Sequence, residues 1–134
     1  MTDRGRSSPF RTWKEREPFS IFPGVAIHAI GGEQVLVCRV TYEPGTVVAR
    51  HAHEHSEQVV AIVEGDLTMT VGEETARLES GDVVVVNRGV EHELSTERGV
   101  TFFEALAPVP RDHVPDPELD LVLGREGGKL HVAS

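Results

Sequence analysis

Between about residues 24 and 107 the chain is a series of short runs rich in Val, Ile, Thr and Phe, each closed by a turn signal. The runs are "GVAIHAI", "QVLVCRVTY", "QVVAIVE", "DLTMTV", "TARLE", "DVVVVN", "HELST" and "VTFFEAL". The breakers are "GGE", "EPGT", "EGD", "VGEET", "ESGD", "NRGVE" and "ERG". No run of helical period survives between them, so the pattern predicts an all-β antiparallel sandwich or barrel. The segment "DLTMTVGEETARLESGD" predicts a hairpin. Leu67, Met69 and Val71 alternate with Asp66, Thr68 and Thr70, which gives one wet face. "DVVVVN" is apolar on both faces and predicts a fully covered strand.

The flanks read differently. Residues 1–23 form an N-terminal extension, polar and frayed over residues 1–9, with "PFSIFPGV" as a strand that could pair at a sheet edge. Residues 108–134 form a strap and tail. "APVPRDHVPDPE" carries four prolines and cannot lie inside a sheet, so it should run extended over the surface. "DPELDLVLG" then offers Asp116 as a helix cap, Pro117 in the first turn and Gly124 as the stop. A short C-terminal helix is expected there, with a strand over "LDLVL" as the alternative.

Composition narrows the function classes. At 134 residues the chain reads as one domain that buries roughly two-thirds of its unfolded surface and needs no covalent staples. The net charge is −9 and no Lys/Arg block occurs, which argues against a nucleic-acid partner. Cys38 is the only cysteine; it lies in "VLVCRV" and reads as a buried small hydrophobe. The N-terminal stretch has no apolar core of a secretory signal, and no run approaches the roughly 20 apolar residues of a membrane helix. A cytoplasmic location and no membrane partner are expected.

Candidate chemistry concentrates in "HAHEHSEQVV", residues 51–60. His51 and His53 are two apart, and on a strand such residues share a face. A strand folding back after the polar corner would bring Glu57 or Gln58 near the pair. His92 starts a later strand, and a closed barrel could carry it to the same point. Three imidazoles and one side-chain oxygen suit zinc, nickel, iron, copper or manganese. His28, His55, His113 and His131 show no comparable pattern and read as surface or hydrogen-bonding histidines.

The surrounding spacing resembles the cupin superfamily. Gly45, "TVVAR", His51, Ala52 and His53 match the first half of its first motif. Gly81, "DVVVV", Asn87, Arg88, Gly89, "VE" and His92 match its second, with Asn87 in place of the proline and Thr96 in place of the final asparagine. The resemblance implies a double-stranded β-helix, the cupin jelly-roll barrel, holding one divalent transition metal ion through His51, His53, His92 and a fourth ligand. Counting forward from His53 puts Glu57 in the fourth position; counting back from Gly65 puts Gln58 there. Gly65 marks a bend and is the better anchor, so Gln58 is favoured and Glu57 is the alternative. With Gln58 the set resembles that of the pectin-degradation cupins, which ketonise unsaturated sugar acids. In those relatives an acidic residue on the last barrel strand and a following arginine act on substrate. Glu104 and Arg111 fall near these positions, as acid/base and carboxylate clamp, though Leu106 stands where an aromatic is expected.

Three functions compete on these grounds. The first is a metal-dependent isomerase, cyclase or lyase on a small keto-enol or carboxylate-bearing substrate. The second is a metal-dependent dioxygenase, which a Glu57 ligand would suit. The third is a non-catalytic small-molecule-binding barrel. The resemblance also implies a homodimer, paired through sheet edges and N-terminal strands.

Overall fold

A computed structural model describes residues 8–123. Nine strands form two antiparallel sheets: β1 Val25–Gly31, β2 Leu36–Tyr42, β3 Val47–His51, β4 Glu57–Gly65, β5 Leu67–Val71, β6 Glu74–Leu78, β7 Val83–Val86, β8 His92–Ser95 and β9 Val100–Ala107. The five-stranded sheet has the order β1-β2-β9-β4-β7, and the four-stranded sheet β3-β8-β5-β6. Each of the eight expected runs is a strand. β3, which carries His51, is the ninth.

The core lies between the sheets and follows the period of two. Leu36, Cys38, Val40 and Tyr42 of β2, and Val60 and Ile62 of β4, point inward with Phe102 and Leu106 of β9. Leu67, Met69, Val48 and Leu94 close the core from the four-stranded sheet. Cys38 is one of these core residues, and burial, with Glu104 second, pushes its thiol far above the usual range.

The hairpin forms as expected, with Leu67 paired to Leu78 and Val71 to Glu74. The expectation of a fully covered "DVVVVN" strand is corrected. β7 is an edge strand, with Val86 buried but Val83 and Val85 60% and 56% exposed.

The flanking segments pack against the barrel. Phe19 exchanges backbone hydrogen bonds with Ile27 of β1, at 2.9 and 2.8 Å, as a single bridge rather than a strand. Residues 13–15 form a short 3-10 turn with Thr12 as its cap. After β9 the proline-rich strap buries Val109 and Val114, makes a 3-10 turn at Arg111–His113, and enters the four-residue helix α1, Pro117–Asp120. Asp116 caps α1 by accepting from the Glu118 N–H at 3.1 Å. The helix stops at Asp120, because Leu121 bridges to Gly31 and the Val122 N–H donates to the Gly31 carbonyl at 2.7 Å. Helix and extended readings of this segment thus each hold for part of it. Arg16 pairs with Asp120, tying the two flanks together. Residues 1–7, Gly124 and His131 lie outside the described residues. Among the described residues no helix is long and apolar enough to cross a membrane.

Candidate metal centre

The barrel brings three histidines to one point. His51 ends β3 and His92 begins β8, and the two are register partners beside a bulge between Val48 and His51. Their rings are 4.3 Å apart at the centroids, and His53 is 5.2 Å from each. One nitrogen from each of the three lies within 4.8 Å of the other two. His53 does not reach this point by strand parity, since β3 has already ended. It sits in the following loop, which the Gly89 N–H holds by donating to the His53 carbonyl at 2.9 Å.

Backbone contacts fix two of the rings. His51 Nδ1 lies 2.7 Å from the Ala49 carbonyl and His92 Nδ1 3.0 Å from the Val90 carbonyl. A carbonyl can only accept, so Nδ1 carries a proton in both rings and Nε2 is the nitrogen turned toward a ligand. His92 is fully buried, and its Nε2 has no hydrogen-bond partner among the described residues. Burial pushes the His92 pKa down, with the Val90 carbonyl opposing. Burial, aided by the neighbouring His113, His92 and His51, lowers His53 to about 4. His53 and His92 therefore stay neutral at pH 7, which is the ligand form of imidazole.

β4 and β9 supply the next layer. Gln58 points inward and is 4% exposed, whereas Glu57 faces outward and is exposed. The alternative of Glu57 as a ligand is therefore corrected on geometry: a carboxylate on the outer side of the strand does not reach the histidines. Gln58 Nε2 donates to Glu104 Oε1 at 3.2 Å. Among the described residues this leaves Gln58 Oε1 and Glu104 Oε2 buried without hydrogen-bond partners. An orphaned amide oxygen and an orphaned imidazole nitrogen bordering one cavity are what a bound cation would satisfy. The donor set of neutral imidazoles and a neutral amide oxygen fits a divalent transition metal.

The strap delivers a group that the sequence pattern missed. His113 is 6% exposed and lies over the cavity, its ring 5.5 Å from that of His53. Its Nδ1 contacts Asp112 Oδ1 at 2.8 Å, and its Nε2 lies 3.6 Å from Glu104 Oε2. Burial alone would lower its pKa, but Asp112 and Glu104 outweigh burial and raise it to about 9. The only hint in the sequence was an Asp-His pair between apolar anchors, Val109 and Val114. The neighbouring Arg111 is exposed on the same 3-10 turn and does not line the cavity. Its expected role as a carboxylate clamp is corrected, because the turn directs His113 inward and leaves Asp112 exposed at the rim. His55 is exposed, and His28 packs beside Trp13 on the outer surface.

The cavity is small, about 60 Å³, and open to solvent at one side. Phe22, whose ring is 5.3 Å from that of His51, and Ile21 form one lip. Tyr42, Val40 and Leu94 form an apolar floor. Ser56 Oγ donates to the Pro108 carbonyl at 2.5 Å, fastening the "EHSE" corner to the strap.

The family model described as "Cupin domain" matches residues 38–102. The tetracenomycin polyketide synthase protein TcmJ of Streptomyces glaucescens is 28% identical over 100 residues, 66% of this chain and 67% of TcmJ. Among solved structures, an RmlC-like cupin from Shewanella frigidimarina superposes with a TM-score of 0.74 at 23% identity, covering 81% of this chain and 97% of its own. KdgF from Halomonas sp. gives 0.73 at 21% identity, covering 80% and 99%.

Proposed function

Since this chain belongs to the cupin superfamily, we propose that it is a metal-dependent isomerase, cyclase or lyase acting on a small keto-enol or carboxylate-bearing substrate. The observation that carries this reading is the placement of Glu104. One carboxylate oxygen accepts from Gln58, and the other faces His113 Nε2 at 3.6 Å in an ion-pair contact. A carboxylate fixed in this way is a proton acceptor with a defined direction.

His51, His53 and His92, with Gln58 Oε1, would hold one divalent transition ion. When bound, such an ion supplies Lewis-acid polarisation of a substrate carbonyl. The protein residues do the rest. Glu104 Oε2 takes the proton from the carbon beside that carbonyl and returns it elsewhere on the same molecule, so the reaction needs no oxidant. His113, anchored by Asp112, offers an Nε2–H toward the developing negative charge. The apolar floor of Tyr42, Val40 and Leu94 keeps water from the carbanionic carbon. TcmJ is named as part of a polyketide synthase, and keto-enol systems of the polyketide type are the substrate class that this chemistry suits. The dioxygenase reading loses its carboxylate ligand with Glu57 turned outward.

The test is proton exchange. Metal-loaded protein in deuterated water should label the α-carbon of small β-diketones, β-keto acids or unsaturated uronates, followed by NMR. Glu104→Gln should stop the labelling and still bind metal. Labelling that persists in Glu104→Gln, or no labelling of any of these compounds by the loaded protein, would refute the reading.

A further inference from the structure

The cavity over the histidine cluster is apolar and acidic, and its walls lack a fixed positive charge. Nine of its sixteen lining residues are apolar or aromatic, among them Phe22, Val48 and Leu94. Its acidic members are Glu104 and Asp112, and among the described residues no lysine or arginine lines it. The arginines next in sequence to the site are engaged or turned away. Arg50 donates to the Gly72 carbonyl at 2.9 Å and pairs with Glu91 and Glu93, and Arg111 is exposed outside the cavity. His113 meets a carboxylate at each ring nitrogen, Asp112 at 2.8 Å and Glu104 at 3.6 Å, so its charge is matched within the protein.

Size and charge together restrict what can enter. By the measure in which one water takes about 10–15 Å³, the enclosed space of about 60 Å³ holds on the order of five heavy atoms. That is the size of one O=C–C–C=O unit. Whatever is attached to such a unit must leave through the mouth, between Ile21 and Phe22 on the N-terminal flank and Asp112 on the strap. A carboxylate taken out of water without a partner of opposite charge is strongly disfavoured. At this mouth it would also meet a like charge on Asp112.

We propose that the substrate is a β-dicarbonyl compound whose remaining part is uncharged and apolar, and that the site discriminates against the same skeleton carrying a carboxylate. This rests on the reading of Glu104 as the group that moves a proton, and it narrows the substrate class of that site. The carbon between the two carbonyls gives its proton to Glu104 Oε2, and the electron pair of that C–H bond spreads over both carbonyl oxygens. The proton returns to another atom of the same molecule, so the step balances without a co-reactant. His113 Nε2–H donates to one of the two oxygens. The substituent lies against Phe22 and Ile21, where burying apolar surface favours an uncharged group.

The test is calorimetric binding of a matched pair, succinylacetone and its methyl ester, to the full chain loaded with zinc. The two compounds share the β-diketone and differ by one remote charge. The ester should bind about tenfold tighter or more. Ile21→Arg supplies a cation at the lip. Ile21 is 37% exposed, so the variant should fold with an unchanged circular dichroism spectrum. It should tighten binding of the acid about tenfold and leave the ester within about threefold. An acid that binds the wild type as tightly as the ester overturns the proposal, whichever residue then supplies the positive charge. Unchanged affinities in Ile21→Arg overturn it too, as does an ester that does not bind. Proton exchange answers the separate question of Glu104. An ester that binds with the expected preference and is not labelled refutes the proton-transfer reading and leaves the discrimination standing. An acid that binds more tightly and is labelled does the reverse.

Discussion

Gln58 on β4 and Glu104 on β9 share a hydrogen bond of 3.2 Å between Nε2 and Oε1, and each keeps a second buried oxygen with no hydrogen bond among the described residues. The amide thus separates two tasks. On the proposed reading its oxygen would join the histidine cluster in holding the ion, while its N–H₂ orients the carboxylate that would move the proton.

Replacing the amide by a carboxylate should merge those tasks. Gln58→Glu puts two acids within hydrogen-bond distance, and like charges so close hold one proton between them. Metal affinity should rise about tenfold from the added negative ligand, and α-carbon exchange should fall about 100-fold as Glu104 loses its role as a free base. Calorimetric metal titration and the NMR exchange assay read the two effects separately. An unchanged affinity would mean that residue 58 does not touch the ion.

The histidine cluster makes a prediction about composition. Untagged protein purified without chelator should contain about one equivalent of a transition metal by elemental mass spectrometry, and His51→Ala/His92→Ala should contain none. Added metal at about 100 times its Kd should stabilise the wild type by about 2.7 kcal/mol and leave the double variant unmoved. Equal stabilisation of both proteins would place the binding elsewhere.

Gly65 closes β4 with φ +91, and a Cβ there would lie 2.1 Å from the Gly99 carbonyl oxygen and 2.8 Å from the Val100 Cα. Both neighbours are backbone of β9 and the turn before it, so neither can move aside cheaply. Gly65→Ala should cost on the order of 3 kcal/mol, read as a lower urea midpoint. A loss under about 0.5 kcal/mol, as at an ordinary surface site, would show that this approach is looser than drawn.

Asp66, the next residue, should set part of the acid sensitivity. Its buried carboxylate accepts from the Glu97 N–H at 3.1 Å and the Arg98 N–H at 3.0 Å, and these bonds hold its pKa below the usual range. A carboxyl whose folded pKa is depressed contributes stability that is full above its unfolded value of about 3.9, and that is lost as pH falls through the folded one. Asp66→Asn should therefore melt lower than the wild type at neutral pH, with the gap narrowing below pH about 4. A gap that stays constant into the acid range would remove Asp66 from the account.

The strand runs, the turns between them and the His51 and His53 pair were legible because each is local, whereas His92, on a later strand, joined them through the resemblance to the cupin motifs. A period of two, a glycine bend and a histidine pair need no partner to be seen. The count back from Gly65 that favoured Gln58 rests on the spacing of the cupin motif that the chain resembles.

What the sequence could not decide was direction. "QVVAIVE" is apolar on both faces, so parity left Glu57 and Gln58 equivalent. The tertiary structure separates them because one face meets the core and the other belongs to the outer surface, and it exposes half of "DVVVVN" for the same reason. His113 depended wholly on tertiary structure. It comes to the cavity through a proline-rich strap with no period to read, on a turn whose aim is set by where Val109 and Val114 find the core. Arg111 faces solvent because that turn can direct only one side inward.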